Sequence, residues 1–211
     1  MWDDLALPWR ACLDEAWAAY RAGSLPIGAA IVAADGRILA RGRNRLFETQ
    51  GEGAALYGRR LAHAEINALI ALDAAAGPPE SCTLYTTTEP CPQCIGAIRM
   101  ALLGEVRYAA RDAVGGSVAL LQATPFMRRR PVRAVGPPDA DLEALIIALF
   151  VARALELADP ARWAIDEWRA DVPHGVAVGE LLYRDGMLRR LRDDGASVAQ
   201  VVDCLTTAVR R

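Results

Sequence analysis

The sequence contains no lysine, and it has only two histidines and no long hydrophobic run. Its 24 basic residues, all arginine, are balanced by 26 acidic residues, so the formal net charge is -2 at pH 7. This balance argues against nonspecific attraction to nucleic acid, which we expect to be a disfavoured but not excluded partner. The longest uncharged apolar stretch, residues 144–152, is far shorter than the roughly 20 residues that a membrane-spanning helix needs. We therefore expect no membrane association.

The cysteine content excludes a disulfide scaffold. There are five cysteines, an odd number, and the N-terminus lacks a basic segment followed by an apolar one. Both features predict a cytoplasmic protein with reduced thiols. With 53% hydrophobic residues in 211, the chain can build one compact α/β core and an added subdomain.

The hydrophobic pattern alternates between helical and strand periods through the first three quarters of the chain. This alternation predicts a partly parallel sheet flanked by helices. An Asp35-Gly36 turn joins the first two strands as a hairpin, and either Asp139 or Asp141 caps a strongly apolar later helix. The predicted helices cover residues 5–20, 61–75 and 91–104, the strands 27–33, 38–42, 83–87, 106–109 and 131–135, and a long loop 45–60.

The remainder of the chain has a purely helical pattern. Pro160 suits a first helical turn, Pro173 and Gly175 break the chain, and Gly195 separates two further helices. Ser197 and a glutamine three residues later resemble a capping box. We therefore divide the chain into a core, residues 1–157, and a helical C-terminal extension, residues 158–211.

Three residues have the types and spacing of a zinc site. Cys91 and Cys94 open a predicted helix directly after a strand, so both sulfurs lie on one side of its first turn. The helix N-terminus favours thiolate over thiol, which is the form that binds metal. His63 begins another predicted helix. Two thiolates and one imidazole leave the fourth tetrahedral position of zinc open, which is typical of a catalytic site.

Glu65 follows His63 by two residues and is the expected proton carrier. Zinc can lower the pKa of a bound water from about 15.7 to about 7, so that hydroxide attacks an electron-poor ring carbon. Glu65 would take the proton of the water and deliver it to the ring nitrogen and the departing amine.

The Cys-x-x-Cys pair alone is not specific for catalytic zinc. In a cytosolic chain it fits a redox pair, a structural zinc knuckle or two buried thiols. The combination of His-x-Glu, a following strand and Pro-Cys-x-x-Cys at a helix start favours catalytic zinc, as in the zinc deaminases. His174, the second histidine of the chain, lies between Pro173 and Gly175 and is predicted to be a loop residue.

Several segments together resemble the cytidine deaminase-like superfamily, particularly its branch of tRNA adenosine deaminases and guanine deaminases. They are PIGAAIV from Pro26, GRN from Gly42, HAEINAL from His63, TTTEPCPQCIGAI from Thr86 and YAARDAVGG from Tyr108. Two differences from the tRNA-editing enzymes stand out, namely Gln93, where methionine is frequent, and a longer loop before His63.

The resemblance implies a three-layer α-β-α fold with a mixed five-stranded sheet, to which the helical extension is added. It further implies zinc held by His63, Cys91 and Cys94, Glu65 as proton shuttle, and a homodimer. It also implies substrate binding by Asn44 and by the backbone at Gly28 and Ala29. Asn44 could instead end a strand in a turn, and Gly28 could mark a strand bend.

We expect a hydrolytic deaminase of a small base or nucleoside, with guanine-like bases first. The alternatives are a tRNA adenosine deaminase and a noncatalytic protein whose zinc is structural. A basic cluster could touch phosphates, but we interpret it as a solvated loop. Trp163 and Trp168 could roof the pocket, although plain packing is the simpler interpretation. The basic cluster that could touch phosphates consists of Arg128, Arg129, Arg130 and Arg133.

Overall fold

The computed structural model describes residues 1–51, 53–73, 77–157 and 162–210, and a five-stranded mixed sheet forms its centre. The sheet order is β2-β1-β3-β4-β5; β1 is antiparallel to both of its neighbours, whereas β3, β4 and β5 are parallel. The predicted mixed sheet is therefore confirmed. The strands are β1 (Gly28–Val32), β2 (Ile38–Arg43), β3 (Thr83–Thr88), β4 (Glu105–Ala110) and β5 (Arg133–Val135).

Helices cover both faces of this sheet, and the last described helix ends at Val209. Among the described residues, none of these helices is long and apolar enough to cross a membrane. Their bounds are α1 (Leu7–Arg21), α2 (Ala64–Ala71), α3 (Pro92–Met100), α4 (Pro125–Arg129), α5 (Ala140–Glu156), α6 (Arg162–Asp171), α7 (Pro173–Arg184), α8 (Met187–Asp193) and α9 (Val198–Val209).

The alternation of side chains along β1 separates two apolar clusters. Ala29 and Ile31 point to one face, where they pack with residues of α2 and α3 such as Ala64 and Ile95. Ala30 points to the opposite face, where α1 and α5 form the larger cluster. Because successive strand residues face opposite sides, one short apolar strand can support both layers. The three-layer arrangement predicted from the resemblance is confirmed.

The extension covers the outer side of α5. Almost all apolar side chains of α5 are buried, and α7 packs directly along it. A Cβ atom at Gly175 would lie 2.9 Å from the Ala144 carbonyl oxygen, and one at Gly179 would lie 2.8 Å from that of Ala148. The two glycines therefore let the backbones of α5 and α7 approach closely.

Two predictions about this region are wrong. Gly175 does not break the chain but lies inside α7, because its missing side chain serves helix packing. His174 is likewise helical rather than in a loop, and its Nε2 donates to the Val209 carbonyl oxygen of α9. Trp168 packs edge-on against Phe150, 4.7 Å between ring centroids, which supports the interpretation as plain packing.

The remaining differences from prediction concern helix ends. Asp139, not Asp141, caps α5, and the capping box at Ser197 is confirmed. The helix predicted over 61–75 is too long, since α2 begins only after His63 and ends at Ala71. The helix predicted over 91–104 also ends early, at Met100. The basic cluster predicted as a loop partly forms the short helix α4. Pro160, the start of the extension at residues 158–161 and the Trp163 side chain lie outside the described residues.

Candidate metal centre

The three predicted zinc ligands lie together where α2 and α3 begin. His63 has extended backbone angles and immediately precedes α2, while Cys91 occupies the same position before α3. Cys94 follows in the first turn of α3 and is buried. The contact between the starts of α2 and α3 therefore joins ligands that are 28 and 31 residues apart in the sequence.

The distances within this group fit tetrahedral zinc. His63 Nδ1 lies 3.5 Å from the Sγ atoms of both Cys91 and Cys94, and the two Sγ atoms are 3.6 Å apart. Tetrahedral zinc with Zn–S of about 2.3 Å and Zn–N of about 2.05 Å would require separations of about 3.6 Å for S···N and about 3.8 Å for S···S. The three side chains can therefore hold one zinc ion without rearrangement of the backbone. They are the group of three or more possible ligands found among the described residues.

Without a bound metal, the hydrogen bond between the two cysteines favours thiolate at Cys91 and raises the pKa of Cys94. The hydrogen bond shared with Cys94, together with His63, lowers the pKa of Cys91 to about 4. The hydrogen bond with Cys91 in turn raises the pKa of His63. Thiolate sulfur is the ligand form that zinc requires, and zinc would favour the same form of Cys94.

Glu65 lies buried beside the ligand group. Its side chain is only 3% exposed, in the first turn of α2. Burial raises the pKa of its carboxyl group, and the nearby His63 opposes this shift. A buried carboxyl group beside a possible metal site has the location that a proton shuttle requires.

Asn44 follows β2 and is held in a defined orientation. Its side chain is 2% exposed, and its Oδ1 accepts hydrogen bonds from Ser24 Oγ at 3.0 Å and from the Leu46 backbone N–H at 3.1 Å. The second bond is the turn contact that was the alternative interpretation of this residue. Because Oδ1 already accepts two hydrogen bonds, a contact of this side chain with a ligand would use the amide nitrogen as the donor. Substrate contact by Asn44 stays a prediction.

Gly28 and Ala29 lie in β1, next to the strand that leads to the cysteines. A Cβ atom at Gly28 would lie 2.0 Å from the Cys12 carbonyl oxygen of α1, so helix packing already requires glycine here. The Gly28 N–H donates to Thr87 Oγ1 at 3.2 Å. Ala29 is fully buried and pairs with Thr86 of β3. Contact of this backbone with a bound ring stays a prediction.

The loop before His63 is anchored by residues that sequence reasoning missed. Asn67, four residues after His63, donates to the carbonyl oxygens of Arg43 and Leu56 and accepts from the Leu56 N–H. Glu48 forms ion pairs with Arg43 and Arg45. The sequence signal that could have indicated this role is the position of Asn67, four residues after His63, because residues four apart share one helix face. The long loop is therefore fixed to α2 and β2.

A cleft of about 510 Å³ lies along this loop. Leu46 and Phe47 line one part, directly after Asn44, while Arg59 and Arg60 line another, shortly before His63. Ligand sites for small molecules have volumes of about 300–1,000 Å³. The cleft is therefore large enough for a nucleobase or nucleoside, but its lining includes neither the proposed zinc ligands nor Glu65 and Asn44.

Comparison with known proteins agrees with this geometry. Residues 5–110 match the family model of the cytidine and deoxycytidylate deaminase zinc-binding region. The chain belongs to this family. The resemblance inferred from the sequence is thereby confirmed, as is zinc as the cofactor of the matching region.

Two deaminases of known activity are similar to this chain over part of its length. A tRNA-specific adenosine deaminase of Bacillus subtilis is 39% identical over 106 residues, which are 49% of this chain and 60% of that protein. A guanine deaminase of the same organism is 39% identical over 87 residues, 40% of this chain and 50% of that protein. The chain thus spans little more than half the length of these two relatives.

A solved structure supports the same fold. It comes from work on A-to-I editing by tRNA:A34 deaminases at the wobble position of transfer RNA. Its sequence is 30% identical, the TM-score is 0.51, and the match covers 61% of this chain and 95% of that chain. The match leaves the remainder of this chain uncovered, and the family model ends at residue 110; the division into a core and a C-terminal extension stays a prediction.

Proposed function

We propose that this chain is a zinc-dependent hydrolytic deaminase that acts on the amino-bearing ring of a nucleobase or nucleoside. The observation that carries the proposal is the group of His63, Cys91 and Cys94, whose separations fit three corners of a zinc tetrahedron. Three protein ligands leave one corner open for chemistry, whereas structural zinc sites have four. The buried Glu65 beside this group argues against a purely structural site.

Zinc in this site would supply a Lewis acid that makes water a nucleophile at neutral pH. Glu65 accepts a proton from the attacking water at a carboxylate oxygen and passes it to the ring nitrogen. A bond forms between the ring carbon and oxygen, the bond from that carbon to the amino nitrogen breaks, and the second water proton leaves with ammonia. The ring keeps a carbonyl group, so atoms and charge balance without an oxidant or reductant.

The first substrate that we propose is a free guanine-like base. Support comes from the net charge of -2 and the similarity to guanine deaminase. Asn44 would donate from its amide nitrogen to an acceptor on the ring, since its oxygen is already engaged. This orientation favours substrates whose ring presents a carbonyl oxygen or an unprotonated nitrogen to the amide nitrogen of Asn44.

The second candidate is adenosine in a tRNA anticodon loop. It is supported by the 39% identity to a tRNA-specific adenosine deaminase and by the fold match to the tRNA-editing structure. The two substrates differ in size. An RNA loop needs a site that is open to a large molecule, whereas a free base does not.

Ammonia release from a substrate panel distinguishes these possibilities. The panel contains guanine, adenine, cytosine, their nucleosides, aminotriazines, pterins and an anticodon stem-loop, each incubated with the zinc-loaded protein. Release from guanine but not from the stem-loop supports the first substrate, and the reverse supports the second. No release from any member, with one zinc bound per chain, would contradict the proposed activity and favour the noncatalytic alternative.

Assembly and location complete the proposal. The resemblance predicts a homodimer, and several apolar side chains on α2 and in the loop before it are exposed. Covering them would bury apolar surface, which favours association. The homodimer and the cytoplasmic location both stay predictions. The exposed residues include Tyr57, Leu61 and Ile70.

A further inference from the structure

Arg99, in the last turn of α3, is a buried cation whose charge is not neutralised by any described residue. Its side chain is 4% exposed, and no carboxylate of the described residues lies within ion-pair distance. Its Nη2 donates to the Phe126 carbonyl oxygen at 3.0 Å, and its Cζ lies 4.5 Å from the centroid of the Phe126 ring. Its Nε is buried without a hydrogen-bond partner.

These contacts satisfy only part of what a buried guanidinium needs. The aromatic ring and the C-terminal end of α3 both favour a positive charge. Neither provides an acceptor for Nε, and a buried donor without a partner is costly. A buried charge is normally paired with an opposite charge. Arg99 therefore lacks an anionic acceptor.

The space beside Arg99 is a cavity of about 340 Å³ with further cations at its rim. Arg129 and Arg130 are exposed and line this cavity together with Arg99. The same three arginines line an adjoining cavity of about 310 Å³. Glu80 is the carboxylate in the lining, so three positive charges face one negative charge. The uncharged part of the lining includes Leu102, Gly104 and Val132.

We propose that this cavity is a binding site for a phosphate group, held by Arg99, Arg129 and Arg130. The planar guanidinium offers paired donors that match the oxygens of phosphate, and the Arg99 side chain lines the cavity. Phosphate would also supply the negative charge that the buried guanidinium lacks.

The phosphate site is distinct from the metal centre. Cys91 and Cys94 lie at the N-terminal end of α3 and Arg99 at its C-terminal end. Arg99 lies five residues after Cys94, about 7.5 Å along the helix axis at 1.5 Å per residue, and neither cavity is lined by a proposed zinc ligand. The proposal therefore does not depend on the deaminase activity.

Calorimetric titration of the full chain with inorganic phosphate, at constant ionic strength in chloride, tests the site. We expect saturable binding that weakens about tenfold in Arg129→Ser and in Arg130→Ser, because each removes one charged contact worth about 1.4 kcal/mol. Arg128→Ser is the matched control. It makes the same charge change in α4, but Arg128 donates to the Gln122 carbonyl oxygen and does not line either cavity.

A second set of titrations identifies the source of the phosphate. Adenosine monophosphate represents free nucleotides, and a short single-stranded RNA represents a nucleic acid backbone. Loss of affinity for either probe in the Arg129 and Arg130 variants, but not in the control, supports the site and shows which source it accepts. Equal loss of affinity in all three variants would indicate attraction by the overall positive charge of this region rather than by specific contacts, and it would overturn the proposal. Absence of phosphate binding to the wild-type chain would overturn it as well.

Discussion

Replacing Glu65 by glutamine isolates proton transfer from metal binding. Glutamine has nearly the same size as glutamate, and the site is buried at 3% exposure, so the packing of α2 against the sheet is preserved. The three proposed ligands, His63, Cys91 and Cys94, are unchanged. We therefore expect the Glu65→Gln protein to bind one zinc ion per chain and to lose most of its turnover.

The size of the loss follows from the role of the carboxylate. A positioned general acid-base group contributes about 10² to 10⁴ in rate. Each factor of ten corresponds to about 1.36 kcal/mol in the activation barrier, so the barrier should rise by about 2.7 to 5.4 kcal/mol. The loss should be in kcat with little change in KM, because Glu65 acts on protons that move in the transition state. Ammonia release measures the rate, and elemental mass spectrometry measures zinc.

Glu143→Gln is the matched control for this prediction. Glu143 is also a buried glutamate, but it lies on α5, on the opposite face of the sheet, where it accepts hydrogen bonds from the Arg111 side chain at 2.8 and 3.0 Å. Its replacement should lower the melting temperature and leave kcat unchanged. If Glu65→Gln retained zinc and a rate within tenfold of wild type, the assignment of Glu65 as the proton shuttle would be wrong.

Three further substitutions test the ligands, the orientation of Asn44 and the packing of β1. Cys94→Ala should lose zinc by elemental analysis and melt at a lower temperature, since bound metal stabilises the folded state. The control Cys204→Ser should keep the zinc content and the melting temperature of the wild type. Full zinc in Cys94→Ala would contradict the ligand assignment. Ser24→Ala removes one hydrogen bond to Asn44, so KM should rise severalfold with an unchanged zinc content; an unaltered KM would contradict substrate contact by Asn44. Gly28→Ala should lower the free energy of unfolding in urea by about 1–3 kcal/mol, because the added methyl group meets the α1 backbone; an unchanged midpoint would refute this steric argument.

The metal centre could be predicted because its information is local. Cys91 and Cys94 lie within one helical turn, and each half of the site follows a short and specific motif. The order of strands and helices was also predictable, since the hydrophobic period changes at Pro26 and the turn at residues 35 and 36 marks the hairpin. Tertiary structure only had to bring His63 to the two cysteines.

Residues whose role depends on distant contacts could not be predicted. Ser24 meets Asn44 across 20 sequence positions, and Asn67 meets the Arg43 carbonyl oxygen across 24. No local period links these pairs. Gly175 was misinterpreted for the same reason, because a glycine that breaks a helix and one that admits a neighbouring helix are identical in sequence. The burial of Arg99 was equally invisible, since a single arginine near the end of a helix is normally expected to be exposed.

The extension and the metal centre lie on opposite faces of the sheet, which limits how one can influence the other. The extension packs on α5, whereas Glu65 and the zinc ligands belong to α2 and α3. A connection does exist through Arg153 of α5, whose guanidinium donates to the carbonyl oxygens of Gly23 and Ser24. Ser24 in turn donates to Asn44. We therefore expect the extension to act on a ring bound near Asn44 through α5, and substrate selection to depend chiefly on the loop between Asn44 and His63.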